Sequence, residues 1–182
     1  MKPNRKWDGK SKSLEFVIYG YSDADHAKCK KTRRSVTGYA TFLEGCAVSV
    51  KSVMQKVVAI SVTESEINAA VQCVQDMMYV KKVIISLGLK VSQPMNIYID
   101  NKGAIDLINN WSVCGRTRHM DTKCLFLREL KENNIVEPVW ISTKENPVDM
   151  FTKNVSTKDY NKFSQLYCGI DEYNKEKEDK EI

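Results

Sequence analysis

The chain has 182 residues, of which 42% are hydrophobic and 28% are charged. This length and balance suit one globular domain and exclude wholesale disorder. No stretch approaches the roughly 18 apolar residues that cross a membrane, and the polar, basic start has no secretory signal. Six scattered cysteines without a C-x-x-C pair indicate reduced thiols. We therefore expect an intracellular protein that is not secreted.

Charge is distributed unevenly along the chain. The first 34 residues hold ten Lys and Arg against four Asp and Glu, whereas the last twelve hold three against six. The basic region indicates a polyanionic partner or, as readily, a solvated surface. We expect a basic, flexible lead-in over residues 1–13, one folded domain over 14–168 and an acidic, disordered tail over 169–182.

The first predicted elements are strands. Residues 16–22 are rich in aromatic and β-branched side chains and predict a strand, followed by a lysine-rich loop over 23–35. Residues 37–43 and 47–53 predict two more strands, joined by a tight hairpin at 44–46. Because these three strands follow one another with short connections, we expect them to be antiparallel.

Helices and strands alternate in the rest of the chain. A capping-box pattern at Thr63 and Glu66 predicts the start of a long helix that Gly88 ends. Further strands are predicted over 95–99 and 135–142, and helices over 102–110 and 121–132. Asn146 and Pro147 predict the start of another helix, which residues 158–168 either extend or follow as a separate helix. Trp140, inside a strand, is expected in the core. This order predicts an α/β fold with a mixed sheet flanked by helices.

Four carboxylates fall at the ends of predicted elements. Asp23 and Asp100 stand where strands end, and Glu66 and Asp149 stand in the first turns of helices. The crevice beyond the carboxyl ends of strands is a common ligand site. Acids that converge there repel one another unless a divalent ion neutralises them, and oxygen ligands suit Mg²⁺ or Mn²⁺. The four together therefore predict a metal site.

Each acid also has a purely structural interpretation. Glu66 would complete the capping box, and Asp149 would favour the dipole of its helix. Asp100 could cap the short helix that follows it, and Asp23 with Asp25 could form a turn. Taken singly, the structural interpretation is preferred for each residue; the set of four favours a site.

Seven short motifs occur in order over residues 17–168, and together they identify a resemblance. The chain resembles the ribonuclease H domain of the Pol polyprotein of copia-type long-terminal-repeat retrotransposons. The motifs are Gly20-Tyr-Ser-Asp-Ala-Asp25, Thr32-Arg-Arg-Ser-Val-Thr-Gly-Tyr39, Lys51-Ser-Val-Met-Gln55, Val58-Ala-Ile-Ser-Val-Thr-Glu-Ser-Glu66, Tyr98-Ile-Asp-Asn-Lys-Gly-Ala-Ile105, Arg116-Thr-Arg-His-Met-Asp121 and Pro147-Val-Asp-Met-Phe-Thr-Lys153.

The resemblance implies an RNase H-like mixed five-stranded sheet and a metal-dependent endoribonuclease. Such enzymes cleave the RNA strand of RNA–DNA hybrids during reverse transcription with two Mg²⁺ ions, which Mn²⁺ can replace. Asp23, Glu66, Asp100 and Asp149 are the implied catalytic and metal-binding residues. The implied partners are an RNA–DNA hybrid and a reverse transcriptase domain of the same polyprotein, in a cytoplasmic virus-like particle or in the nucleus, with no membrane.

Other residues are candidates for auxiliary roles. His119 could move protons near the metals, or it could cap or pack. Hybrid binding should depend mainly on shape and phosphate contacts, with little reading of bases. The candidate nucleic-acid-binding residues are Lys28, Lys30, Lys31, Arg33, Arg34, Arg116, Arg118 and Lys123. For the last three, a solvated surface charge is an equal alternative.

Two other functions remain open at this stage. The chain could be a truncated, catalytically silent remnant of a transposon that binds nucleic acid or nothing. It could also be another nuclease of the same fold, such as a resolvase or integrase core, although the motifs around Gly38 and Asp149 argue against that class. A zinc site at His26 and Cys29 or around His119 is disfavoured because the spacing fits no standard pattern.

Overall fold

The structure is a computed structural model and describes residues 15–110 and 118–168, with the side chains of 118–121 left out. The predicted lead-in 1–13 and tail 169–182 lie outside the described residues. The strands are β1 (Glu15–Phe16), β2 (Ile18–Asp25), β3 (Val36–Leu43), β4 (Cys46–Met54), β5 (Lys90–Val91), β6 (Met95–Ile99) and β7 (Val136–Trp140). The helices are α1 (Val62–Ser86), α2 (Lys102–Asn109), α3 (Arg118–Glu132), α4 (Asp149–Thr152) and α5 (Thr157–Cys168).

Five strands form the main sheet, in the order β4-β3-β2-β6-β7. β2, β3 and β4 are antiparallel, whereas β6 lies parallel to both β2 and β7. This confirms the predicted mixed sheet. The parallel strands bring the carboxyl ends of β2, β6 and β7 to one edge, because each crossover passes through helices.

The β3–β4 connection is the predicted tight hairpin. Glu44 and Gly45 both have positive φ angles, of 51° and 80°, as a two-residue turn that matches the strand twist requires. The predicted first strand, by contrast, is divided: β1 pairs with β5 in a separate two-stranded sheet, and β2 begins at Ile18. β2 also continues to Asp25, so Asp23 lies within the strand and not after it.

The main core lies between the sheet and helices α1, α2 and α3. Ile97 and Ile99 of β6 pack with Ile67 and Met77 of α1 in one buried cluster. Gly20 allows α1 to approach β2, because a Cβ atom there would lie only 2.5 Å from the Sγ atom of Cys73. A smaller cluster, which includes Phe42, Val148 and Phe151, joins α4 and α5 to the sheet. None of the helices in the described ranges has the length and apolar character needed to span a membrane.

Two local predictions at the end of the sheet were wrong. Trp140 is the last residue of β7 and is 47% exposed, with the Lys102 ammonium 4.8 Å from the ring centre. It therefore lies on the rim and not in the core. Asn146 is not an N-cap either, because α4 begins at Asp149 and the residue before it is Val148. Residues 157–168 form a separate helix, α5, which Ser156 caps: its hydroxyl accepts a hydrogen bond from the Asp159 N–H.

Candidate active site

Three carboxylates converge at the carboxyl edge of the sheet. Ser22 of β2 is paired with Ile99 of β6, so Asp23 and Asp100 follow on neighbouring parallel strands. Glu66 comes from the second turn of α1, and its Oε1 atom accepts a hydrogen bond of 3.3 Å from the Ala24 N–H. One carboxylate oxygen from each of Asp23, Glu66 and Asp100 lies within 4.8 Å of the others. The topology thus assembles three acids that are 77 positions apart at most along the chain.

Asp149 reaches the same place from α4. Two consecutive residues at the end of this helix bind Asp23: the Thr152 hydroxyl donates to Oδ2, and the Lys153 ammonium lies 3.1 Å from Oδ1. The same ammonium lies 3.3 Å from the Asp149 Oδ1 atom. Lys153 therefore bridges Asp23 and Asp149, and the structure brings all four predicted acids together.

Neighbouring residues fill the structural roles that the sequence allowed for these acids. The N-cap of α1 is Ser61, whose hydroxyl accepts from the Glu64 N–H, while Glu64 Oε2 accepts from the Ile60 N–H at 2.8 Å. The predicted capping box at Thr63 and Glu66 is therefore wrong by two residues, and Glu66 points into the site. This shift leaves Glu66 available for another function.

The same division of roles recurs at Asp100 and beside Asp149. Asn101, and not Asp100, caps α2 by accepting a 2.8 Å hydrogen bond from the Ala104 N–H. Asn146 donates to the Ser22 carbonyl oxygen at 3.0 Å and so ties the segment before α4 to β2. Helix capping therefore does not explain the positions of Glu66 and Asp100. Asp149 still occupies the first turn of α4, where its charge also favours the helix dipole.

Burial and mutual repulsion perturb the ionisation of the cluster. Burial, reinforced by the charges of Asp23 and Asp100, raises the pKa of Glu66 to about 9. Burial and Asp23 raise the pKa of Asp149 to about 6, and the same two causes raise the pKa of Asp100. Shifts of this kind arise when like charges are gathered in a site that excludes water, and they are typical of functional sites.

The donor set fits a divalent cation. Among the described residues, Glu66 Oε2 is buried and has no hydrogen-bond partner, so one oxygen of the cluster lacks a donor or a cation. Carboxylate oxygens are the preferred ligands of Mg²⁺ and Mn²⁺, and an added positive charge would relieve the repulsion among Asp23, Glu66 and Asp100. The residues present are therefore chemically suited to hold such an ion.

The predicted basic loop lies beside these acids. Residues 26–35 connect β2 to β3 and begin three positions after Asp23. Five cationic side chains on this loop are exposed: Lys28, Lys30, Lys31, Arg33 and Arg34. Lys28 also contacts Asp25 at 2.5 Å and the Thr152 carbonyl oxygen at 3.1 Å, so it links the loop to α4.

The other predicted auxiliary residues are placed less directly. Lys123 is partly buried, and its ammonium donates to Asn68 Oδ1 at 2.6 Å, so it serves a contact between α3 and α1. Arg118 and His119 begin α3, and their side chains lie outside the described part of the structure. Arg116 also lies outside the described residues.

Three residues at the site were not anticipated from the sequence. Thr152 and Lys153 bind Asp23, and the Thr143 side chain lies close enough to Asp100 to lower the pKa of that carboxyl, against the larger effect of burial. The spacing from Asp149 carried a signal for two of them, because positions three and four residues later lie on the same helical face. Thr143 lies in a 3₁₀ turn after β7, for which the sequence offered no such periodicity.

Sequence comparison shows relatives among transposon polyproteins, although no protein-family model matches the chain. The retrovirus-related Pol polyprotein of transposon TNT 1-94 from Nicotiana tabacum is 39% identical over 139 residues, which are 76% of this chain. That of transposon RE1 from Arabidopsis thaliana is 30% identical over 153 residues, or 84% of this chain. The chain spans about 10% of the length of each polyprotein.

Structural comparison shows the fold. LC11-RNase H1, solved in complex with an RNA/DNA hybrid, is similar with a TM-score of 0.54 over 74% of this chain and 92% of that one. Sequence identity is 13%, so this likeness concerns the fold alone. The family expected from the seven motifs is therefore confirmed: the chain's homologues are the retrovirus-related Pol polyproteins of copia-type transposons, of which it matches one segment, and its fold is that of RNase H domains.

Proposed function

We propose that this chain is a metal-dependent endoribonuclease that hydrolyses the RNA strand of RNA–DNA hybrids. The observation that carries the proposal is the convergence of Asp23, Glu66 and Asp100 within 4.8 Å, with Asp149 joined to Asp23 through Lys153. An isolated cluster of buried acids is unfavourable, because burial and repulsion both oppose ionisation. A function that requires a divalent cation explains why this chain has such a cluster of acids.

The four carboxylates would hold two Mg²⁺ ions, or Mn²⁺ in their place. Bound there, such ions polarise a phosphodiester and lower the pKa of water, which is the chemistry that phosphodiester hydrolysis requires. The protein's own contribution is positional. Asp23 and Asp100 are fixed by neighbouring strands, and the Ala24 N–H holds one oxygen of Glu66 while the other remains available.

Substrate binding would depend on the basic loop between β2 and β3. Its five exposed cations lie close to Asp23 in the chain, where they could contact the phosphates of a nucleic acid. A neighbour with the same fold was solved with an RNA/DNA hybrid, and the sequence relatives are Pol polyproteins. These two findings support a hybrid as the substrate and a reverse transcriptase domain of the same polyprotein as the source of that hybrid.

The test is cleavage of an end-labelled RNA–DNA hybrid by the 182-residue chain with Mg²⁺, with Mn²⁺ and with a chelator. Duplex DNA and duplex RNA serve as substrate controls. Asp100→Asn removes one ligand charge with little change in shape, and Asp25→Asn is the matched control outside the cluster. We expect metal-dependent cleavage of the RNA strand by the wild type and by Asp25→Asn, and none by Asp100→Asn.

Other outcomes would assign the chain differently. Hybrid binding by a folded protein without cleavage in either metal would indicate the catalytically silent remnant. Cleavage of duplex DNA in preference to the hybrid would indicate another nuclease with this fold. Full activity of Asp100→Asn would remove that residue from the active site.

A further inference from the structure

Lys153 has an unusual position among the acids. It follows Asp149 by four residues, so both side chains emerge from the same side of α4 and its C-terminal end. Its Nζ atom lies 3.1 Å from Asp23 Oδ1 and 3.3 Å from Asp149 Oδ1. The Asp23 side chain is 1% exposed and the Lys153 side chain 37% exposed, so the ammonium reaches a buried carboxylate from the rim of the site.

This contact compensates part of the charge that the cluster gathers. A buried carboxylate without a counter-charge is costly, and four acids at one place add repulsion to that cost. The Lys153 ammonium lies 3.1 Å from Asp23 Oδ1 and 3.3 Å from Asp149 Oδ1, so it supplies a counter-charge to both carboxylates. Lys153 is thus held as a cation between two of the four carboxylates.

The same contact occupies an atom that a metal ion would need. Asp23 Oδ2 accepts from the Thr152 hydroxyl, and Asp23 Oδ1 is bound by Lys153. Thr152 is 5% exposed and packs from α4 against Gly38 of β3, whereas Lys153 has a long side chain that is partly in solvent. Lys153 is therefore the partner that can withdraw, and its charge would repel a divalent ion bound to the same oxygen.

We propose that Lys153 is a built-in counter-ion that stabilises the metal-free site by bridging Asp23 and Asp149 and is displaced when a divalent cation binds between them. This inference rests on the proposed metal-dependent function. It makes Lys153 a positioning residue that lowers metal affinity while it keeps the empty cluster folded. The direct contacts are on the Asp23–Asp149 side, where the Lys153 ammonium donates to one oxygen of each carboxylate; at Glu66 and Asp100 its charge acts without a hydrogen bond among the described contacts.

The test measures Mg²⁺ binding without nucleic acid. Thermal unfolding of the 182-residue chain is followed during Mg²⁺ titration, since binding to the folded state raises the transition temperature with ion concentration. The variant is Lys153→Met, which retains an unbranched apolar side chain. The matched control is Lys28→Met, because Lys28 also contacts α4, at the Thr152 carbonyl oxygen, but binds neither Asp23 nor Asp149.

We expect Lys153→Met to unfold at a lower temperature than the wild type in chelator and to bind Mg²⁺ about tenfold more tightly, a factor that corresponds to ~1.4 kcal/mol. Lys28→Met should bind Mg²⁺ within about twofold of the wild type, because it removes a nearby charge but no direct competitor. Lys153→Arg should bind Mg²⁺ with an affinity close to that of the wild type, because it keeps the positive charge. Lys153→Gln provides the same comparison, with a neutral hydrogen-bond donor, if the Met variant does not fold.

Four results would overturn the inference. Weaker Mg²⁺ binding by Lys153→Met would mean that Lys153 prepares the site for the ion. An equal gain in both Met variants would indicate general electrostatics without direct competition. If Mg²⁺ stabilises neither the wild type nor any variant, the proposed metal-dependent function fails as well, whereas a wild type that binds Mg²⁺ with unchanged affinity in Lys153→Met refutes the role of Lys153 alone.

Discussion

Replacement of Glu66 by glutamine should stabilise the metal-free protein. Glu66 is 4% exposed and lies next to Asp23 and Asp100, so its charge is unfavourable in the folded state. Glutamine keeps an oxygen that can accept from the Ala24 N–H, which binds Oε1 of Glu66. Its amide group would occupy the position of the unpartnered Oε2 atom and could donate to the neighbouring carboxylates.

The size of the effect follows from proton linkage. Burial and the neighbouring charges raise the pKa of Glu66 from 4.5 to about 9, so between these values the folded state holds a proton that the unfolded state has released. The free energy of unfolding therefore falls as pH rises, by about 1.4 kcal/mol per pH unit. At pH 7 the cost is about 3 kcal/mol, and at pH 5 it is below about 1 kcal/mol. Glutamine does not titrate and removes this cost.

The assay compares thermal and urea unfolding of the wild type and Glu66→Gln in chelator at pH 5 and pH 7. For a chain of this size, about 3 kcal/mol corresponds to a transition temperature about 6–12 °C higher at pH 7. The matched control is Glu64→Gln, two residues away in the same helix. Because the glutamine amide oxygen can still accept from the Ile60 N–H, that variant should change the stability much less than Glu66→Gln does.

Three results would refute this reasoning. Glu66→Gln could prove less stable than the wild type at pH 7, its advantage could be equal at pH 5 and pH 7, or Glu64→Gln could gain as much stability. Addition of Mg²⁺ supplies a further check, because the ion should stabilise the wild type more than a variant that lacks one of the metal-binding charges.

Three further predictions concern the site and its support. Asp100→Asn should abolish hybrid cleavage and leave the circular dichroism spectrum and hybrid binding unchanged, whereas Asp25→Asn should retain cleavage. Gly38→Ala should destabilise the protein by about 1–3 kcal/mol and reduce cleavage. The added Cβ atom would lie 2.6 Å from the Thr152 Cγ2 atom and would push α4 away from the sheet. Unfolding and cleavage rates measured on one preparation test this prediction, and an unchanged cleavage rate would contradict it. Gln55→Leu should lower the free energy of unfolding, measured in urea, by about 2–4 kcal/mol, because Gln55 is buried and its side chain hydrogen-bonds to three groups on β3 and α1. A loss below about 1 kcal/mol would show that these hydrogen bonds are dispensable.

The sequence alone was sufficient for most of the fold. Apolar residues alternate with Asn96 and Tyr98 over residues 95–99 and recur at helical spacing before Gly88. These patterns predicted β6 and α1 nearly at their observed bounds. Both patterns reflect local backbone geometry, which side-chain periodicity reports directly. The prediction failed where pairing is non-local. β1 leaves the main sheet to pair with β5, some 75 residues later, and no pattern within residues 15–22 reports that partner.

At the site, the sequence by itself determined which four acids to consider, because Asp23, Glu66, Asp100 and Asp149 fall near element ends and match the motifs of one family. Only the tertiary structure decided how they are arranged and what surrounds them. In the structure α1 begins at Val62, so Ser61 and Glu64 make the capping contacts. Glu66 is therefore not used as a cap, and its Oε2 atom has no hydrogen-bond partner among the described residues. The bridge from Lys153 to Asp23 spans 130 residues, and it depends on the packing of α4 against β2 and β3. Local periodicity carries no information about contacts at that separation, which arise from the packing of the whole domain.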